Sequence, residues 1–180
     1  MKHYHSTNEN NFIIKSVISK KLTNKEIKQI CLLKDKQWKH GINSQLKYFK
    51  NNIKKFDYHN LLYIQSKLVG YTVLRKRTCK IESKKKKLKY LLLDSLVIEK
   101  KYKKKKLSNL MMCFNNTIIK ELGFFSFLIC NNHLVNFYKK NNWKILNKNF
   151  FSVEDHKFFE NGMVFNNKIS LDKYFFYFNK

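Results

Sequence analysis

The sequence predicts a single mixed α/β domain, in which a mostly antiparallel sheet of about six or seven strands is flanked by about four helices. Apolar runs typical of strands alternate along the chain with apolar residues at helical spacing. The 180 residues are 43% hydrophobic, which is enough for one buried core. No repeat and no linker rich in Pro, Gly or Ser divides the chain. We therefore expect one domain over 1–180, with its core at about 12–167 and an aromatic tail at 168–180.

The N-terminal part predicts a strand followed by two helices. Residues 12–19 (FIIKSVIS) are rich in β-branched residues, as strands are. Thr23 and Glu26 have the spacing of a capping box, so a helix is expected from there to about Lys34. Apolar residues at helical spacing predict a second helix from about Asn43.

The middle of the chain predicts the centre of the sheet. Residues 61–65 and 68–81 form two apolar runs, which predict a hairpin turning at residues 66–67. The four lysines 84–87 are interpreted as a solvated loop. Residues 88–98 (LKYLLLDSLVI) are the most apolar run of the chain and predict a central strand.

The C-terminal part continues the alternation of helix and strand. Gly123 stands where glycine ends a helix. The predicted elements are a long helix from 107 to 122, a strand at 124–130, a short helix at 132–141, and strands at 143–151 and 162–167. The aromatic residues 174–178 (YFFYF) predict either a buried strand or a homodimer contact.

The formal charge of +26 suggests a nucleic-acid partner, but the composition favours another explanation. The chain has no Ala, no Pro, four Gly and two Arg, whereas Lys, Asn, Ile, Phe and Tyr are abundant. These preferences follow A/T-rich codons. A protein that grips phosphates would be expected to use arginine for bidentate contacts. Nucleic acid is therefore an unlikely partner, although the charge still attracts anionic ligands.

The sequence also argues against a membrane or secreted protein and against a zinc protein. No apolar run is long enough for a membrane span or a signal peptide, which predicts a cytoplasmic protein without a membrane partner. The cysteines are too widely spaced for a zinc site and are interpreted as small buried apolar residues: Cys31, Cys79, Cys113 and Cys130. No metal is expected.

Two segments carry the candidate chemistry. In the first, the strand at 88–98 leads through a lysine-rich loop into the helix that begins near Leu107. Unpaired N–H groups and the helix dipole make such a helix start an anion site, although a solvated lysine run is the alternative. In the second, Asn131 ends a strand and Tyr138 follows two helical turns later.

Together these segments resemble the GNAT superfamily of acetyl-CoA-dependent N-acetyltransferases. The positions that carry the first motif are Asp94, Leu96, Ile98, Tyr102, Lys103, Lys106, Ser108 and Met111. Those of the second are Asn131, Leu134, Phe137, Tyr138, Asn142 and Trp143. The resemblance covers about residues 12–167. It departs from the family at Lys103, which replaces Arg or Gln, and at Lys106, Ser108 and Asn142, which replace small residues.

The resemblance implies acetyl-CoA as the acetyl-donor cosubstrate. The backbone of Leu96, Val97 and Ile98 would pair with the pantetheine arm, and Asn131 would bond to it near the thioester. The pyrophosphate would be held by backbone N–H groups of the loop and helix start, namely those of Lys103, Lys104, Lys105, Lys106, Leu107 and Ser108.

The resemblance also implies catalytic roles. Asp94 would take a proton from the acceptor amine, Tyr138 would protonate the leaving thiolate, and the N–H of Leu96 would hold the oxyanion. Two alternatives stay open, because Tyr138 could be a packing aromatic and Asp94 a structural partner of a lysine or Arg75. Other candidate bases are Glu82, His59, Glu154 and Asp155.

Three functions compete. The first is acetyl transfer to a primary amine of a small polar molecule such as an amino sugar, an aminoglycoside or a polyamine. Short segments, including residues 58–64 and 68–77, resemble the aminoglycoside 2′-N-acetyltransferases. The second is a protein N-acetyltransferase of the ribosomal or N-terminal type. The third is a non-catalytic nucleic-acid-binding protein, which the scarcity of arginine disfavours.

Overall fold

The computed structural model describes residues 4–7, 12–154, 160–167 and 173–179, and within these it describes all side chains except those of 4–7, 84–86, 103 and 104. The helices are α1 (Asn24–Trp38), α2 (Ile42–Asn52), α3 (Leu107–Glu121) and α4 (Asn132–Lys140). The first five strands are β1 (Tyr4–Thr7), β2 (Phe12–Ile18), β3 (Tyr58–Ile64), β4 (Lys67–Ile81) and β5 (Lys84–Ile98). The others are β6 (Ser126–Cys130), β7 (Lys144–Leu146), β8 (Phe151–Val153), β9 (Asn161–Phe165) and β10 (Tyr174–Phe176).

The chain divides into two compact units. Unit 1 comprises Met1–Arg75 and Asp94–Asn115. Its strands β1, β2, β3 and the first part of β4 pair in that order, each antiparallel to the next. Two apolar clusters form its core, one around Ile14, Leu62 and Met111 and the other around Ile30 and Tyr71.

Unit 2 comprises Lys76–Leu93 and Asn116–Lys180. Within it, β6 lies parallel to β5 and antiparallel to β9, and β9 is antiparallel to β7. Strand β10 pairs antiparallel with β4 and parallel with β8. The core is aromatic, and its centre is the stack of Phe127 on Phe176, whose ring centroids are 3.8 Å apart.

The predicted fold class is confirmed, since the described residues form a mixed sheet with four α-helices. The sheet has ten strands among the described residues, more than the six or seven predicted, because several of them are only three to five residues long. The local signals for helix ends are also confirmed. Thr23 and Glu26 form both bonds of the capping box at the start of α1. Gly123 after α3 and Asn142 after α4 have φ of 69° and 66°, the left-handed conformation that glycine and asparagine tolerate best.

Three sequence predictions were wrong in detail. The β3–β4 turn is centred on Gln65 and Ser66, both with positive φ, one residue before the predicted position. Residues 84–87 are not a loop, because β5 begins at Lys84 and the turn lies at 82–83. The strand predicted over 143–151 divides into β7, the 3₁₀ turn Lys148–Phe150 and the start of β8.

The aromatic tail forms the buried strand that was one of its two predicted interpretations. Tyr174 and Phe176 of β10 are buried in the core of unit 2, while Phe175 points outward. In the part of the chain that the structure describes, no helix combines the length and the apolarity that crossing a membrane requires.

Candidate functional site

Strand β5 contains a residue in the left-handed conformation. Ser95 has φ of 62° inside a strand that continues to Ile98, a conformation found in β-bulges, and we refer to this position as the bulge. Its hydroxyl donates to Asp94 Oδ1 at 2.9 Å. The bulge re-aims the backbone immediately before Leu96, Val97 and Ile98, the residues predicted to pair with the pantetheine arm.

Asp94 lies at the centre of a polar cluster in unit 1. Its Oδ2 accepts a hydrogen bond from the Tyr48 hydroxyl at 3.1 Å and another from Arg75 Nη1 at 3.2 Å. Arg75 is only 4% exposed and also donates to the backbone carbonyl of Asn52. Asp94 is therefore a structural partner of Arg75, as one of its two predicted interpretations required. The role of Asp94 as a base stays a prediction.

A cavity of about 390 Å³ lies beside this cluster, between α1, α2 and the bulge. Tyr48, Asp94 and Ser95 contribute its polar groups, and its other lining residues are Lys34, Trp38, His40, Ser44 and Gln45. Its size is that of small-molecule sites. No pattern in the sequence distinguishes Lys34 or Ser95 as a lining residue of this cavity.

The loop predicted to hold phosphates is a 3₁₀ helix, Lys100–Lys105, that leads into α3. Lys106 follows in the left-handed conformation with φ of 54°, which explains the preference of the family motif for glycine at this position. The Lys106 carbonyl accepts from the N–H groups of Asn109 and Leu110, so those of Leu107 and Ser108 precede the first helical bonds. The side chains of Lys103 and Lys104 lie outside the described residues.

A second cavity in unit 1, of about 550 Å³, borders this loop. Val97 and Ile98 line it together with Lys100 and Lys101. Glu99, which also lines it, accepts from Lys36 Nζ at 2.8 Å and from Lys67 Nζ at 3.0 Å. The predicted cofactor strand therefore borders open space with cationic walls.

The other predicted site residues belong to unit 2. Asn131 is the exposed N-cap residue of α4. Tyr138 is buried near the end of the same helix, with its ring 5.1 Å from that of Phe137 and 6.2 Å from that of Trp143 between centroids. These packing contacts are those of the alternative interpretation, and its role as an acid stays a prediction.

The structure also places the remaining candidates. Glu82 is exposed in the β4–β5 turn, Glu154 is half-buried after β8, and Asp155 lies outside the described residues. Cys113 is exposed on α3, which corrects the prediction that all four cysteines are buried; the other three are buried. Within the described ranges, no three His, Cys, Asp or Glu side chains are grouped as a metal site would require.

His59 is fully buried on β3 and unsuited to proton exchange with a substrate. Its ring nitrogens bond to the hydroxyls of Tyr71 and Ser19, each at 2.9 Å. Burial, helped by the nearby charge of Lys34, lowers the pKa of His59 to about 3. It is therefore neutral in the folded protein at every physiological pH.

This burial predicts a loss of stability in mild acid. In the unfolded chain, His59 binds a proton below its ordinary pKa of 6.5, whereas in the folded chain it binds one only near pH 3. The part of the unfolding free energy that depends on a neutral His59 is therefore fully present above pH 6.5 and is lost as the pH falls. Between pH 7 and pH 5, the wild type is expected to lose about 2 kcal/mol more unfolding free energy than His59→Gln. Urea denaturation at both pH values measures this, with His40→Gln as the exposed control. Parallel losses in the wild type and His59→Gln would contradict it.

Comparison with known proteins gives structural neighbours only. No protein-family model and no curated protein matches the sequence. An acyl-CoA N-acyltransferase of Pseudomonas aeruginosa is similar at 12% identity over 85% of this chain and 98% of its own, with a TM-score of 0.62. A GNAT-family N-acetyltransferase of Escherichia coli, in complex with CoA, has 11% identity over 89% of this chain and 83% of its own, with the same TM-score of 0.62.

An aminoglycoside 6′-N-acetyltransferase, complexed with coenzyme A, has 12% identity over 83% of this chain and 93% of its own, with a TM-score of 0.60. These neighbours agree with the resemblance that the two sequence motifs carried. The chain therefore has the fold of the GNAT N-acetyltransferases.

Proposed function

We propose that the protein is an acetyl-CoA-dependent N-acetyltransferase that acts on a primary amine of a small polar molecule. The observation that supports this best is the position of the bulge at Ser95. Asp94 and Ser95 line one cavity, and the strand end that follows them, Val97 and Ile98, lines a second cavity that has lysines in its wall. In a chain with this fold, these features give an amine site at Asp94 and a cofactor site at Val97 and Ile98, along successive parts of one strand. The whole chain would then form a single N-acetyltransferase domain.

The residues fit the cofactor chemically. In this proposal the backbone of Leu96, Val97 and Ile98 pairs with the pantetheine arm. The N–H groups of residues 103–108 hold the pyrophosphate, where the N-terminus of α3 and the lysines both favour negative charge. Asn131 bonds to the pantetheine amide groups through its exposed side chain.

The reaction needs two proton transfers. An amine with an ordinary pKa of ~10.4 is mostly protonated at neutral pH, so Asp94 takes its proton, directly or through water. Acetyl-CoA supplies the thioester carbonyl, at which the N–C bond forms and the C–S bond breaks. The N–H of Leu96 stabilises the oxyanion. Tyr138 donates its phenolic proton to the departing thiolate.

One experiment separates this function from non-catalytic binding. Acetyl-CoA is added while the melting temperature is followed, and CoA release is then measured across a panel of small amines. A ligand that binds the folded state at 100 times its Kd stabilises by about 2.7 kcal/mol, so the melting temperature should rise. The absence of both stabilisation and CoA release would reject the proposal.

The basic loop gives a further prediction. Replacing Lys103 and Lys106 by Gln is expected to weaken acetyl-CoA binding several-fold and to reduce its dependence on salt, because charge-assisted bonds to phosphate are lost. The matched control replaces residues 84–87, four lysines outside the motif, by Gln. Calorimetric titration at two salt concentrations compares the two sets. Equal losses would show that only the diffuse positive field matters.

A further inference from the structure

Lys34 is a buried cation in the cavity beside Asp94. It lies on α1, on the same face as the core residues Ile30 and Leu33, and only 7% of it is exposed. Its Nζ lies 4.3 Å from the ring centroid of Tyr48 and 5.7 Å from that of Trp38. Among the described residues, no oxygen or nitrogen acceptor forms a hydrogen bond or ion pair with this ammonium group.

Such an environment is unfavourable for an ammonium group by itself. The stem of Lys34 is buried, and its ammonium group, with three N–H donors, opens on the cavity, where contacts with aromatic faces replace hydrogen bonds to protein acceptors only in part. Burial lowers the pKa of Lys34, the charge of Asp94 opposes this shift, and the charge of Arg75 adds to it. Because Lys34 lines the cavity, a molecule bound there can supply the missing acceptor.

The charges around the cavity indicate the kind of molecule. Lys34 and Arg75 bring two positive charges, and Asp94 brings the single carboxylate among the lining residues and their described ion-pair partners. The carboxylate is already bonded to Arg75, Tyr48 and Ser95. His40, Ser44 and Gln45 add polar groups but no further negative charge at neutral pH. A ligand with a negative group would balance this excess, whereas a polycation would increase it.

We propose that Lys34 binds an anionic group, a carboxylate or a phosphate, on the acceptor molecule. The acceptor is therefore an amine that carries its own negative charge, with its ammonium directed to Asp94 and its anionic group to Lys34. This inference rests on the proposed acetyltransferase function and narrows its substrate class. It disfavours polyamines and aminoglycosides as acceptors.

The test uses amines in matched pairs that differ in the anionic group. L-Phenylalanine is compared with L-phenylalaninamide for the carboxylate, and glucosamine 6-phosphate with glucosamine for the phosphate. CoA release gives kcat and KM, and the melting temperature reports binding of each compound without acetyl-CoA. In at least one pair, we expect the kcat/KM of the anionic member to be at least tenfold higher than that of its neutral partner, or only the anionic member to raise the melting temperature.

Two variants assign this preference to Lys34. Lys34→Met keeps the apolar stem and removes the charge, and we expect it to raise KM or Kd for the anionic compound at least tenfold with little change for its neutral partner. Lys28→Met removes an exposed charge from the same helix and should leave the preference intact. Because Lys34→Met keeps the buried apolar stem and removes no hydrogen bond to the protein, we expect the melting temperature to stay near that of the wild type.

The outcomes that overturn the proposal are distinct. In the first, the wild type prefers neither anionic member in turnover or in binding. In the second, the preference for the anionic member survives in Lys34→Met. In the third, Lys34→Met lowers kcat equally for both members of a pair. The last result would make Lys34 a group acting in the chemical step. Failure of the acetyltransferase function shows itself separately, as no stabilisation by acetyl-CoA, and leaves the binding comparison of the paired compounds valid.

Discussion

A Tyr138→Phe variant is expected to bind acetyl-CoA as tightly as the wild type and to turn over about 10²–10⁴-fold more slowly. The phenolic proton is needed only as the thiolate develops, so its removal affects the transition state and not the ground state. The ring itself, which packs beside Phe137 and Trp143, is kept. Calorimetric titration with acetyl-CoA and steady-state kinetics measure the two quantities.

The matched control is Tyr58→Phe, which removes the hydroxyl of a half-buried tyrosine on β3. It should retain the wild-type kcat. A Tyr138→Phe enzyme with the wild-type kcat at every pH tested would leave Tyr138 as a packing residue only. Since the substitution keeps the ring, a loss of folding is not expected to obscure the result.

An Asp94→Asn variant is expected to lose about 10²–10⁴-fold in rate at neutral pH and to recover much of it as the pH rises. The recovery follows because the free-amine fraction of the acceptor grows about tenfold for each pH unit below its own pKa of ~10.4. The measurement is kcat/KM from pH 6 to pH 10 for the variant and the wild type. A variant rate that stays equally low at every pH would assign Asp94 a structural role.

The same substitution has a separate effect on stability. It removes the counterion of Arg75, which is 4% exposed, and leaves a buried guanidinium without its charged partner. The cost is expected to be about 1–3 kcal/mol of unfolding free energy. Tyr48→Phe removes a neutral donor to the same carboxylate oxygen and is the milder comparison. It should lose less unfolding free energy than Asp94→Asn, and its kcat/KM should keep nearly the pH dependence of the wild type.

Local signals in the sequence were sufficient for much of the fold. The capping box at Thr23 and the glycine after α3 each act within one helical turn, and each is found where it was predicted. The apolar run at 88–98 lies within β5, and six of its residues are buried: Tyr90, Leu91, Leu92, Leu93, Val97 and Ile98. These features depend on neighbouring residues only.

The features that were missed depend on distant parts of the chain. Strand β1 has the polar sequence YHST and is held by pairing with β2, which no pattern within it indicates. Strand β10 was predicted only as one of two interpretations of the aromatic tail, because its pairing with β4 and β8 decides between them. Likewise, the environment of Lys34 is set by α2 and by Asp94, so a lysine within an apolar helical face had no distinctive signal. Site geometry of this kind requires the tertiary structure.

The left-handed backbone at Ser95 and Lys106 also bears on how the protein tolerates mutation. Among the described residues, seven non-glycine positions have positive φ: Lys39, Gln65, Ser66, Ser95, Lys106, Asn142 and Asn166. Each costs of the order of 1 kcal/mol, although less at asparagine, against a typical total margin of about 5–15 kcal/mol. Glycine at any of these positions would relieve its share of this cost, and the A/T-rich codon preference of the chain disfavours glycine.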